Sequence, residues 1–331
     1  MLALTQGDPA GIGPELLLRA LAEPPEGCTL LAVGELAALE AVAAAVDPAV
    51  CERLPRLPAA VERSAVPAGG GVIDPVEERR RVTPGSSGPA DAAGAIAAVD
   101  LGMQLVHTGV ADALLTLPVS KASIATHLLP GFRGHTDYLA AACGLQGYGR
   151  DYLMAFLAPG LKVALLSAHL PLRQALEEID TPSVLAALEC LHRNVGGRIA
   201  LAGLNPHAGE GGLIGDEERE VLAPAVREAR RRGVDVEGPL SPDSLFARAR
   251  GGAYDWVLAL YHDQGLIAVK TASRGQATNW TLGLPFLRTS VDHGTAFDVA
   301  GRGVADDGPL RAAIRTTLEL LANPPAGSPP S

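Results

Sequence analysis

Three histidines stand at matching places in this chain. His169 follows the apolar run in "KVALLSAHLPLR", His207 the one in "IALAGLNPHAGEGG", and His262 the one in "WVLALYHDQG". Short apolar runs bounded by Gly, Pro, Asn and Asp read as buried strands of a parallel sheet. Side chains just beyond the carboxyl ends of such strands meet in one crevice. Three neutral imidazoles converging there would leave open positions for a substrate, the layout of a catalytic metal site. The competing reading has each histidine capping its own loop. Asp263, beside His262, and Asp243 in "LSPDSLF" are carboxylates available for proton transfer, although Asp243 also suits a helix N-cap. Lys270 ends "YHDQGLIAVK" as a candidate clamp for an anion and is grouped with those two aspartates as a catalytic candidate.

Further polar groups cluster elsewhere. The segment "TNWTLGLPFLRTSVDHGTAFDVAGRG" (278–303) sets Asn279, Arg288, Asp292, His293, Thr295 and Asp298 among glycines that include Gly294. "RGHTDYLA" groups Arg133, His135, Thr136 and Asp137, either to bind an anion or to cap the following helix. "GDPAGIGPELLL" is a glycine-rich turn between a short strand and a helix. It reads either as a tight connection or as backbone brought close to a ligand at a helix N-terminus. No G-x-G-x-x-G follows a strand, no G-x-x-x-x-G-K-[ST] occurs, and no H-E-x-x-H is present, so the usual dinucleotide, NTPase and zincin signatures are missing.

Short apolar runs alternating with amphipathic stretches predict an α/β protein with a largely parallel sheet. Strands are expected at 30–34, 112–119, 162–168, 198–205 and 255–261. Helices are expected at 14–22, 90–107, 173–177, 182–194 and 216–232, the first opened by Pro14. Residues 64–89, rich in Gly and Pro, read as a long surface connection, and 323–331 as a disordered tail.

The 331 residues allow two domains, and 47% hydrophobic residues suit a packed core. A net charge of −10 disfavours a nucleic-acid partner. No apolar run is long enough for a bilayer and the N-terminus lacks signal-peptide features, so a cytoplasmic location is expected. Cys28, Cys51, Cys143 and Cys190 are scattered, against a disulfide framework or a zinc ribbon. Of 27 basic side chains only Lys121, Lys162 and Lys270 are lysine, which draws attention to their settings.

Taken in order, "TQGDPAGIGPE", "LPVSK", "GHTDYLA", "AHLPL", "LNPHAGEGGLIGDEE", "YHDQGL" and "TLGLPFLRTSVDHGTAFDVAG" resemble the 4-hydroxythreonine-4-phosphate dehydrogenase (PdxA) family of vitamin B6 biosynthesis. The resemblance implies a two-domain α/β/α protomer like that of the isocitrate and isopropylmalate dehydrogenases, with domains at 1–128 plus 274–331 and at 129–273. It implies a homodimer with a shared active site and one divalent ion (zinc, magnesium or cobalt) held by His169, His207 and His262. His169 and His207 would come from one chain and His262 from the other. His135, Thr136, Lys270, Asn279 and Arg288 would hold a phosphorylated substrate. Asp292, His293, Gly294, Thr295 and Asp298 would contact NAD or NADP without a Rossmann fingerprint. Ala168 stands where the family more usually has Thr, and Ala268 lies in a stretch that varies among subfamilies.

The implied reaction is oxidation of the C3 hydroxyl of 4-phosphooxy-L-threonine, followed by loss of carbon dioxide to give 3-amino-2-oxopropyl phosphate. Asp243, Asp263 or a water on the ion are open as general base. Three rivals stand beside this reading. One is a relative acting on threonate or erythronate 4-phosphate or on a dihydrodiol carboxylate. The others are a metal-dependent hydrolase and a non-catalytic binding protein.

Overall fold

Fully buried four-residue runs such as "LALT", "LLAV" and "IALA" form central strands, because a parallel strand covered on both faces has no polar side to show. The computed structural model describes residues 1–76, 79–325 and 327. Its strands are β1 (Leu2–Thr5), β2 (Leu30–Val33), β3 (Arg56–Leu57), β4 (Gly71–Ile73), β5 (Ala113–Thr116) and β6 (Leu153–Ala158). They continue with β7 (Leu161–Leu165), β8 (Ile199–Ala202), β9 (Val236–Leu240), β10 (Trp256–Ala259), β11 (Thr278–Leu282) and β12 (Leu287–Val291). The α/β class expected from the sequence is the one observed.

The chain forms two units. The first holds 1–138 and 286–322, the second 139–285. The crossings therefore fall after Tyr138 rather than residue 128, and before Phe286 rather than residue 274. His135 and Thr136 belong to the first unit and Asn279 to the second.

In the first unit the strands run in the order β3-β4-β2-β1-β5-β12, all parallel. From β1 the chain moves outward through β2, then returns to β5 on the other side, so β1 and β5 flank a topological switch point. Leu2, Leu4, Leu16, Leu30 and Leu115 build its core. In the second unit the order is β11-β6-β7-β10-β8-β9. The β11–β6 and β6–β7 pairs are antiparallel, and β7, β10, β8 and β9 are parallel. Val163, Leu165, Val257 and Leu266 pack at its centre.

Helices start where their caps dictate. The helix Gly13–Ala22 opens with Pro14, and Asp180 accepts from the Ser183 N–H at 2.7 Å ahead of Thr181–Val195. The stretch expected as one helix over 216–232 is a π-helical turn, Glu218–Leu222, running into Ala223–Arg231. Residues 64–89 are not a surface connection throughout. β4 lies inside this segment, wholly buried between β2 and β3. Three residues after a run of glycines are too few to show a period. Most of the tail expected to be disordered lies outside the described residues.

Candidate functional site

In the second unit β7 and β10 are hydrogen-bonded parallel neighbours, which brings their carboxyl ends together. The link continues past the strands, with Leu166 N–H donating to Ala259 O at 2.8 Å and Ser167 Oγ donating to Leu260 O at 2.9 Å. His169 and His262 therefore meet, with ring centroids 5.3 Å apart. His262 opens the helix His262–Ser273 and its Nδ1 lies 2.7 Å from Asp263 Oδ1. A carboxylate on Nδ1 holds the proton there and leaves Nε2 as the free lone pair, the arrangement behind most metal-binding histidines. Asp263 thus orients an imidazole.

His207 follows β8, which pairs with β10 on its other side. The backbone at His207, Ala208 and Glu210 is left-handed, with φ of 53°, 52° and 44°, and Gly209 and Gly211 share that hand. Such a turn costs energy at every non-glycine residue, so something must hold it. Glu218, only 5% exposed, accepts from the N–H groups of Leu204 and Asn205, both at 2.7 Å, and from Asn205 Nδ2 at 2.9 Å. Gln264 ties this loop to the His262 helix, donating to Gly203 O and accepting from Leu260 N–H, each at 2.7 Å. Neither Glu218 nor Gln264 was singled out from sequence, although both lie inside its motifs.

Among the described residues no group of three or more His, Cys, Asp or Glu side chains is set to hold a metal ion. The expected division joined His169 with His207 and drew His262 from a second chain. Within one chain the ring contact is between His169 and His262, which follow neighbouring strands. Asp243 accepts from Ser241 Oγ at 2.7 Å, which holds its carboxyl below the usual range, with nearby His207 a lesser cause. Lys270 lies in the last turn of the His262 helix. Eight residues at 1.5 Å rise put it about 12 Å along the axis from His262. Asn279 is on β11 opposite Phe156, with a buried Oδ1 that has no hydrogen-bond partner among the described residues.

The first unit gathers a separate set. Arg288 lies on β12, paired with β5 and 2% exposed. Its Nη2 donates to Thr116 Oγ1 at 2.5 Å and its Nη1 reaches Thr136 Oγ1 at 3.5 Å. Burial pushes its pKa down to about 9. His135 and Thr136 open the helix His135–Ala142, and His135 Nε2 is buried without a hydrogen-bond partner among the described residues. The His135 pKa is held well below its ordinary value, first by burial, then by Arg288 and Lys121. Lys121, outside the expected site set, packs its stem against Gly134, where a Cβ would sit 3.1 Å from Cε. Arginine, lysine, a neutral imidazole and threonine hydroxyls at one place have the chemistry to hold an oxyanion.

Asp292, His293, Gly294, Thr295 and Asp298 follow β12 in a stretch without helix or strand. His293 Nδ1 faces Gly294 O at 3.0 Å, while its Nε2 is buried with no hydrogen-bond partner among the described residues. With the proton on Nδ1, Nε2 is an acceptor for a hydroxyl or amino group, which a dinucleotide carries.

Known proteins share this chain's whole course. It is 40% identical to 4-hydroxythreonine-4-phosphate dehydrogenase of Acidithiobacillus ferrooxidans, over 97% of this chain and 96% of that one. It is 38% identical to D-threonate 4-phosphate dehydrogenase of Salmonella typhimurium, over 96% and 98%. The crystal structure of 4-hydroxythreonine-4-phosphate dehydrogenase from Klebsiella pneumoniae matches with a TM-score of 0.84 and 35% identity, covering 97% of this chain and 99% of that one. The family model for "pyridoxal phosphate biosynthetic protein PdxA" spans residues 26–317. By the family model and by relatives matched along nearly their full length, the chain belongs to the PdxA family of dehydrogenases.

Proposed function

We propose that this chain catalyses NAD(P)-dependent, metal-assisted oxidation of 4-hydroxythreonine 4-phosphate, with decarboxylation to 3-amino-2-oxopropyl phosphate. The observation that carries the reading is the His169–His262 pair with Asp263 on His262 Nδ1. Their ring centroids, 5.3 Å apart, are close enough that both imidazoles could hold one divalent ion. His207 of a second copy of the chain would complete the set.

When bound, the divalent ion supplies Lewis acidity toward the substrate oxygens, and NAD(P) supplies the hydride acceptor. The chain's own residues do the rest. Arg288, Lys121, His135 and Thr136 grip the phosphate. Asn279 Oδ1 accepts from the substrate's ammonium or hydroxyl group. Asp243, ionised at neutral pH, takes the proton of the C3 hydroxyl as the hydride leaves C3, while Asp263 keeps His262 in its ligand tautomer. The β-keto acid so formed loses its carboxylate as carbon dioxide, and the enolate left behind takes a proton at C2, returned by the protonated Asp243 or by water. His293 Nε2 and the backbone around Gly294 face the cofactor.

Support for the substrate comes from the relative in Acidithiobacillus ferrooxidans. The D-threonate relative, at 38% against 40% identity, makes D-threonate 4-phosphate the second reading. The test is an absorbance assay at the NADH band with both phosphorylated acids, with carbon dioxide trapped and a chelator added in parallel. NADH and carbon dioxide from 4-hydroxythreonine 4-phosphate, abolished by chelation, are expected. NADH from D-threonate 4-phosphate alone selects the second reading. Substrate hydrolysis without NADH would replace both with a hydrolase.

A further inference from the structure

The turn "GDPAGIGPE" has the look of a ligand cradle, yet its glycines are filled by the chain itself. A Cβ on Gly7 would overlap the Pro118 carbonyl, one on Gly13 the Gln6 carbonyl, and one on Gly11 would lie 3.0 Å from Thr295 O. The last contact points to the segment 292–303. Ile12 N–H donates to Thr295 O at 3.0 Å. Glu15, wholly buried in the first turn of Gly13–Ala22, accepts from the Gly301 N–H through Oε1. Arg19, one turn further on, donates from Nη2 to Gly303 O at 2.6 Å. Gly85 N–H, donating to Ala10 O at 2.7 Å, secures the turn from its other side.

Residues 292–303 contain no helix or strand, so no repeating hydrogen-bond ladder sets their shape. Gly301 and Gly303 are left-handed, as is Ala296, with φ of 79°, 68° and 45°. A segment of this kind holds one conformation only where outside groups over-determine it. The first helix supplies those groups at three points: Thr295, Gly301 and Gly303.

We propose that Glu15 and Arg19 are positioning residues for the nicotinamide cofactor, acting through Gly301 and Gly303 to pre-form the segment that receives it. The proposal rests on reading 292–303 as the cofactor loop. A loop ordered before binding spares the ligand that ordering cost, so loosening it weakens cofactor affinity and leaves the oxyanion receptor alone.

The test is NADH binding by fluorescence titration, beside binding of inorganic phosphate by calorimetry, in the full chain and in Glu15→Ala, Glu15→Gln and Arg19→Met. Glu15→Ala and Arg19→Met should raise the NADH dissociation constant tenfold or more and shift phosphate affinity less than twofold. Glu15→Gln, whose amide oxygen still accepts from Gly301, should recover much of the loss. Arg19→Met keeps the side-chain stem and so remains informative where Glu15→Ala fails to fold. Folded variants with unchanged NADH affinity overturn the proposal. So does an equal loss for NADH and phosphate, which marks a general structural role. Wild-type protein that binds no NADH overturns the cofactor reading itself, and is recognised without any variant.

Discussion

His135 is neutral because burial and the charges of Arg288 and Lys121 all disfavour its cation. The consequence for stability follows from proton linkage. An unfolded imidazole titrates near 6.5 and the folded one only at lower pH, so between the two the unfolded chain binds more protons. Stability from this residue is complete above about pH 6.5 and is lost as pH falls toward the folded pKa. The limiting slope is about 1.4 kcal/mol per pH unit. Urea unfolding at pH 7.5 and pH 5 should therefore show a smaller loss for His135→Gln than for wild type; equal losses would contradict the buried neutral imidazole. Lys121 makes a second case. Lys121→Met should raise the KM for the phosphorylated substrate about tenfold, close to 1.4 kcal/mol for a charged contact partly open to water, with the KM for NAD unchanged. A Lys121→Met enzyme still inhibited by inorganic phosphate like wild type would remove it from the receptor.

The turn that carries His207 depends on one buried carboxylate. Glu218 binds two backbone N–H groups and the Asn205 amide, and the left-handed residues follow directly. Glu218→Ala leaves those donors unsatisfied and lets the turn relax. Loss of a supporting group of this kind costs tenfold to a hundredfold in metal affinity, on the order of 1.4–2.8 kcal/mol. Zinc titration with a competing chelator should show that drop for Glu218→Ala, although Glu218 is no ligand. Undiminished affinity would mean that His207 does not bind the ion. In the other unit the helix Gly13–Ala22 acts comparably, with its first two turns fastened to 292–303.

If the site is shared between two copies of the chain as proposed, the pairing of His169 with His262 in one chain makes a specific forecast. Mixed dimers of His207→Ala with either His169→Ala or His262→Ala should regain activity, up to about half the wild-type rate per mixed dimer, since one of the two sites is intact. Mixing His169→Ala with His262→Ala should restore nothing. Recovery in that last mixture, with subunit exchange verified, would instead support His262 arriving from the second chain. The described residues contain no helix long and apolar enough to cross a membrane.

The strands at 30–33, 113–116, 161–165, 199–202 and 256–259 were legible because each is a short apolar run closed by turn residues. Position relative to those strands also marked His169, His207 and His262, and the ordered motifs marked the family. What sequence left open depends on partners distant along the chain. Arg288 sits in a polar segment rich in glycine to which no strand was assigned, and pairing with β5 makes it a buried strand residue. The glycines of "GDPAGIGPE" fit a ligand or a neighbouring backbone equally well until Pro118, Thr295 and Gln6 are seen to fill the space. The meeting of His169 with His262 depends on β7 and β10 being adjacent, although about ninety residues lie between Leu165 and Trp256. Local pattern reports burial and turn chemistry, which are properties of a few residues. Contacts between side chains and remote backbone have no local period, so only the tertiary structure decides them.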